Sequence, residues 1–192
     1  MIILLLVSSY LLGNILTGAV IGRFFYKEEI RAKGSGNPGA RNVGRLYGKT
    51  AFVFTFLGDA AKGVIAVWGT RFFGFDSTIE LFMLFAVIVG HIFPILFKFQ
   101  GGKGISTFIG GLLLFDPFAF VLFVGIFVIL YPFFKSFTNA GLCAILLYPF
   151  LLFLLSYKAS SIIIACLIAG LILFAHSENV RGKFLRKREW SS

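Results

Sequence analysis

Acidic residues are scarce in this 192-residue chain: 8 Asp and Glu stand against 18 Lys and Arg, and charged residues of both signs make up only 14%. Histidine and cysteine occur twice each. Without CxxC or Cys/His spacing, and with scattered acids, they exclude a metal cluster or a disulfide framework. Cys143 and Cys166, each inside an apolar run, read as small buried hydrophobes. The chain has no basic residue ahead of its first apolar stretch, Met1–Ile21, and no small-residue cleavage pattern, so that stretch reads as a retained span rather than a secretory signal.

What the sequence does have is apolar surface. Hydrophobic residues are 58% of the chain, aromatics 18%, and the mean hydropathy is +0.94, more than a soluble domain of this size can bury. The composition excludes a soluble enzyme domain and indicates an all-α, polytopic integral membrane protein. Apolar runs at 2–22, 51–70, 79–97, 104–115, 117–134, 141–157 and 160–176 predict seven transmembrane helices in a single domain over 1–192, with one long loop at 23–50. A net charge of +10 in a soluble protein suggests nucleic acid. Here its placement argues for topology instead. With the N-terminus outside and the C-terminus inside, fifteen of the 18 Lys and Arg fall on cytoplasmic segments, only Arg71 and Lys158 fall outside, and Lys62 lies within a span. Six crossings, with 104–115 as a re-entrant segment, would reverse that bias.

Three polar segments come to the same membrane surface in this topology. The first runs Gly34-Ser35-Gly36-Asn37-Pro38-Gly39-Ala40-Arg41-Asn42-Val43-Gly44-Arg45. Its glycines suit an anion nest of backbone N–H groups, with Ser35, Asn37 and Asn42 as neutral donors. Arg41 and Arg45, four apart, face one anion if the loop leads into a helix. The second is Gly101-Gly102-Lys103-Gly104, with Ser106 and Thr107 at the mouth of the next helix, where backbone amides and a lysine suit a phosphate. Walker A spacing fails there, because Phe97 takes the first glycine position and Gly104 follows the lysine. The third is His176-Ser177-Glu178-Asn179, in which His176 and Asn179 share a helix face. Within the spans, Asp59 and Lys62 are expected to pair with each other or a neighbouring helix, mainly as structure, with anchoring of the loops as the alternative. His91 and Pro94 read as a hydrogen-bonded histidine and a kink. Two anion cradles at one surface of a membrane protein suggest group transfer between two phosphorylated ligands, one of them a lipid. A transporter of a phosphorylated metabolite is the alternative.

The segments GSGNPGARNVGR, GHIFPILFKFQGGKG and HSENV, in this order and spacing, resemble the bacterial acyl-phosphate:glycerol-3-phosphate acyltransferases, the PlsY family. The resemblance implies transfer of a fatty acyl group from acyl phosphate to the sn-1 hydroxyl of glycerol 3-phosphate, giving lysophosphatidic acid and phosphate. It implies no cofactor, no nucleic acid and no obligate protein partner, and a place in the bacterial inner membrane with the site facing the cytoplasm. It assigns phosphate binding and catalysis to Ser35, Gly36, Asn37, Gly39, Asn42 and Arg45, glycerol 3-phosphate to Gly101, Gly102, Lys103 and Gly104, and a third motif to His176 and Asn179. Gly34 and Arg41 join the binding set from spacing alone. The HxxxxD motif of other glycerolipid acyltransferases is missing, since Leu96 follows His91 and Arg181 follows His176 at that spacing.

Overall fold

A computed structural model describes the backbone of residues 1–189 and side chains to residue 177. Among the described residues the chain forms nine α-helices and no strand: α1 (Ile2–Gly13), α2 (Thr17–Phe25), α3 (Ala40–Tyr47), α4 (Lys49–Phe72), α5 (Ser77–Ile92), α6 (Ile105–Phe115), α7 (Pro117–Phe134), α8 (Phe137–Leu154) and α9 (Ala159–Glu189). Five helices, α4, α5, α7, α8 and α9, are long and apolar enough to cross a bilayer, and α1 with α2 forms a sixth candidate bent by 41°. Large apolar side chains such as Phe25, Trp68 and Phe133 stand on the exterior, the reverse of a soluble surface.

Local chemistry sets the helix starts. Asp76 caps α5 by accepting from the Ile79 amide at 3.2 Å, and Asp116 caps α7 by accepting from Phe118 and Ala119 at 2.8 and 3.1 Å, with Pro117 in the first turn. At only 11 residues α6 rises about 16 Å, short of a bilayer core. It survives because it is buried in protein. A Cβ on Gly63 would stand 2.0 Å from the Thr107 carbonyl oxygen and one on Gly110 would stand 2.1 Å from that of Ala60, so α4 and α6 cross backbone to backbone. The main core lies between α4, α5, α6, α8 and α9 around Val67, Leu84, Ile88, Leu112, Leu152 and Ile172. A second, smaller cluster of Leu16, Ile30, Val43 and Ala51 holds α2, the following loop and α3 against the start of α4.

Several expected boundaries move. The first span is broken, because buried Asn14 turns its side chain back to the Tyr10 carbonyl at 2.7 Å and accepts from the Leu96 amide at 3.3 Å. The loop expected over 23–50 contains α3. The run expected over 79–97 leaves the helix at Ile92, ahead of Pro94. The run 141–157 becomes Phe137–Leu154, started by Ser136, and the last helix continues past 176. Neither cysteine is buried: Cys143 is half-buried and Cys166 is exposed, on an exterior that is itself apolar.

Candidate active site

The long loop is built from its own few acids. Glu29 accepts from both Nε and Nη2 of Arg31 at 2.9 and 3.0 Å, and the guanidinium reaches on to the Phe97 carbonyl at 3.2 Å and lies over its ring. Glu28 accepts from Lys33 at 2.5 Å and from the Tyr47 hydroxyl at 2.7 Å, while Tyr47 stacks on Tyr26. The Lys33 hydrogen bond, then that of Tyr47, holds the Glu28 carboxyl below its ordinary value. Burial, then the Glu28 hydrogen bond, pushes the Tyr47 hydroxyl up to about 12. The loop is thereby clasped to both ends of its own sequence.

Asn42 shapes the first motif. From α3 its buried side chain accepts from the Ser35 amide at 2.9 Å and donates to the Lys33 carbonyl at 3.1 Å. Gly34 between them has φ +59°, and a Cβ there would stand 2.3 Å from Asn42 Oδ1, so the turn needs glycine. Asn37 accepts from the Gly39 amide at 2.7 Å and leads into α3. These bonds correct the expected anion nest. The amides of Ser35, Gly36 and Gly39 are taken by Asn42, the Lys33 carbonyl and Asn37. Those three amides are not open to a ligand, and the loop's side chains Ser35, Arg41 and Arg45 share one cavity wall with the uncapped first turn of α3.

A similar correction applies to the second motif. The Gly101 and Gly102 amides donate to the carbonyls of Ile92 and His91 at 3.2 and 2.9 Å, folding the segment onto the end of α5. The first turn of α6, just after Lys103, carries no side-chain cap, so its amides are left as donors for an anion beside the lysine.

Two adjoining cavities result. The larger, about 690 Å³, is bordered by Ser35, Asn37, Gly39, Arg41, Asn42, Arg45, Lys103, Gly104 and His176, and runs on between Phe52 and Phe56 of α4, Phe120 and Phe123 of α7, and Ile145 of α8. The smaller, about 300 Å³, is bordered by Gly36, Gly101, Gly102 and Gln100, and it shares Ser35, Asn37 and Lys103 with the larger. Gly34 borders neither. His176, 9% exposed, has Nδ1 2.8 Å from the Ile172 carbonyl, which makes Nδ1 the protonated nitrogen and leaves the lone pair on Nε2. Asn179 lies outside the residues whose side chains are described.

The structure also brings residues that the motifs did not point to. Thr138 of α8 accepts from Arg41 across the mouth of the larger cavity, and Asn139, Asp59 and His91 border that cavity as well. The only sequence signal for the α8 pair is a short cluster of polar residues, Lys135, Ser136, Thr138 and Asn139 around Phe137, interrupting apolar sequence. Asp59 and Lys62 pair at 2.9 Å as expected, and His91 is hydrogen-bonded, with Nδ1 at 2.9 Å from Lys62.

A family model described as glycerol-3-phosphate acyltransferase matches residues 3–185. The chain belongs to the glycerol-3-phosphate acyltransferase family. Its relatives include a glycerol-3-phosphate acyltransferase 1 of Bacillus cereus, 51% identical over 175 residues that cover 91% of this chain and 94% of that one. The enzyme of the same name from Desulfitobacterium hafniense is 34% identical over 177 residues, covering 92% of this chain and 88% of that one. Among solved structures, PlsY, an integral membrane glycerol 3-phosphate acyltransferase, superposes in its glycerol 3-phosphate form with a TM-score of 0.84 at 31% identity, over 97% of this chain and 93% of that one. Its lysophosphatidic acid form gives a TM-score of 0.82. The family relationship supports an acyltransferase and gives the transporter alternative no support.

Proposed function

We propose that this protein is a membrane acyltransferase that moves a fatty acyl group from acyl phosphate to the sn-1 hydroxyl of glycerol 3-phosphate, producing lysophosphatidic acid and inorganic phosphate for phospholipid synthesis. The observation that carries the reading is the pair of adjoining cavities, one small and polar, one long and apolar-walled, meeting at Ser35, Asn37 and Lys103. A water-soluble phosphate ester suits the first and an acyl chain with a phosphate head suits the second.

In this reading Ser35, Arg41 and Arg45 hold the head of the acyl phosphate at the mouth of the larger cavity, and the chain lies along Phe52, Phe56 and Phe123. Lys103, which borders both cavities, holds the phosphate of glycerol 3-phosphate, with Gly36, Gly101 and Gly102 giving room for it in the smaller cavity and Gly104 and the first turn of α6 beside the lysine on the side of the larger one. Asn42, Gly34, Asn37 and Gly39 act by shaping the first loop. His176 and Asn179 orient the glycerol hydroxyl. Its oxygen attacks the acyl carbonyl carbon, the new ester C–O bond forms, and the C–O bond to phosphate breaks with its electron pair on the leaving phosphate. The hydroxyl proton passes to His176 Nε2 or to a substrate phosphate, whose second pKa is about 6. His176→Gln, which keeps a hydrogen bond but no base, separates these: retained turnover assigns the proton to the phosphate.

The chain forms one transmembrane domain over 1–192 with seven crossings, the N-terminus out, the C-terminus in and the site facing the cytoplasm of a bacterial inner membrane. The lysine and arginine distribution supports this. So does α6, whose start borders the site while its last carbonyl, Phe115, accepts from Arg71 at 2.8 Å at the other end of the bundle. The reaction needs no cofactor and no obligate protein partner.

The test is phosphate release by the purified, detergent-solubilised protein from palmitoyl phosphate, with and without glycerol 3-phosphate, alongside detection of the acylated product. Release that depends on the acceptor, with lysophosphatidic acid formed without metal, coenzyme A or carrier protein, supports the reading. Folded protein that turns over no acyl phosphate of any chain length overturns it.

A further inference from the structure

Three ionisable side chains beneath the site take no part in the chemistry just described, yet they are among the most buried polar groups of the molecule: Asp59 at 1% exposure, Lys62 at 3% and His91 at 3%. Burying a charge without a full set of partners is costly, and replacing a buried ion pair by apolar side chains is often neutral for stability. Stability alone therefore gives little reason for such a cluster here, and its contacts give a more specific one.

The Lys62 ammonium has three protons and three acceptors within bonding distance, and the acceptors belong to three different parts of the chain. The Asp59 carboxylate lies at 2.9 Å, the Ile15 carbonyl at 2.8 Å and His91 Nδ1 at 2.9 Å. Ile15 sits in the break of the first span, where the helix no longer supplies its carbonyl with a donor. Asp59 fixes the other side of that break by accepting from the Thr17 amide at 3.4 Å. Thr17 opens α2, and α2 meets the first motif so closely that a Cβ on Gly18 would stand 1.9 Å from the Pro38 carbonyl oxygen. His91 leads to the second motif. Its carbonyl accepts from the Gly102 amide at 2.9 Å, and its ring fills the space beside Gly102 so fully that a Cβ there would stand 2.0 Å from Nε2.

We propose that Lys62 is a positioning residue for both phosphate-handling loops: one buried ammonium sets where α2 carries the first motif and where the His91 ring seats the second. The two loops, more than fifty residues apart in the chain, thereby share a single reference point, and the spacing between their ligands is fixed from below. Asp59 and His91 are the arms of the device, and neither needs to exchange a proton for it to work. The proposal rests on the acyltransferase reading only in that turnover is its readout.

The experiment compares two neutralised ion pairs in detergent, with both substrates varied. Asp59→Asn combined with Lys62→Met removes the buried pair while keeping its volume. Arg71→Met combined with Glu80→Gln removes the ion pair at the other end of the bundle and serves as the control. The expected result is folded protein from both, with KM for palmitoyl phosphate and for glycerol 3-phosphate each raised about tenfold in the first and within about twofold of wild type in the control. Wild-type KM values in folded Asp59→Asn/Lys62→Met protein overturn the proposal, as does an equal rise in the control, which would mark general loosening. If the first pair does not fold, His91→Asn decides, because it keeps a polar atom near Nδ1 and removes the part of the ring beside Gly102. A rise of about tenfold confined to the glycerol 3-phosphate KM supports the proposal, and no rise overturns it. Wild-type protein in the same assay separates the two readings: if it turns over and the variants match it, only the positioning role falls, whereas a wild type without turnover brings down both.

Discussion

At the end of the bundle away from the motifs, both cations meet acids. Arg71 holds Glu80 through hydrogen bonds of 2.8 and 2.7 Å and reaches the last carbonyl of α6, Lys158 reaches Asp76 at 2.8 Å, and Tyr157 donates to Asp116 at 2.7 Å. At the motif end, among the residues whose side chains are described, the acids of the long loop are taken within it, where Glu28 and Glu29 hold Lys33 and Arg31. Asp59, which borders the larger cavity, is committed to Lys62. Arg45 enters that cavity with no ion pair among the described residues. The same residue types thus do opposite work: paired charge ties helix ends together at one end, and positive charge is kept available for an anion at the other.

The sharpest way to break this comparison is to remove one arginine from each end. Arg45→Ala should lower turnover by about 100- to 1,000-fold with little change in melting temperature in detergent. Arg71→Ala should do the reverse, costing about 1–2 kcal/mol in stability, with kcat unchanged. Equal effects on turnover would erase the distinction. Next in size is the loop brace. Asn42→Ala leaves the Ser35 amide without its partner and the Lys33 carbonyl with the Gly36 amide alone, so the KM for palmitoyl phosphate should rise about tenfold. Tyr157→Phe, which removes one hydrogen bond at the other end, should cost about 1 kcal/mol in thermal unfolding and leave that KM alone. The smallest effect is a pH dependence. Hydrogen bonds from lysine hold the carboxyls of both Glu28 and Asp76 below their ordinary values. Each contact is therefore complete above the ordinary carboxylate range and is lost only as the pH falls through the lowered value. Acid pH–rate profiles should show the Glu28 loss and not the Asp76 loss, so Glu28→Gln should reduce the acid-side fall in kcat/KM by about twofold while Asp76→Asn leaves the profile as it is.

Much of the fold was legible because apolar length and charge placement act over whole helices. Pro117–Phe134 falls where the sequence put it, and the i, i+3 spacing of Asp59 and Lys62 announced their pairing. The break in the first span was hidden because Ile15 and Leu16 keep the run apolar, and Asn14 breaks it only through partners at Tyr10 and Leu96 that no local pattern reveals. α3 was hidden by composition: glycine, asparagine and arginine are weak grounds for a helix, and this one is held by Val43 in the small core and by the Asn42 bonds. At the site, residue types announced anions, yet which amides remain open depends on how each turn folds back on its neighbours, and the amides of Ser35, Gly36 and Gly39 are spent on such turns.

The shared wall between the two cavities has a kinetic consequence. In the proposed reaction one reactant is counted per unit of bulk volume and the other per unit of lipid or detergent surface, and the residues the cavities share, Ser35, Asn37 and Lys103, would let them meet without either leaving its own phase. Adding empty micelles at constant total substrate should therefore dilute the acyl donor and slow the reaction, while the apparent demand for glycerol 3-phosphate stays where it was.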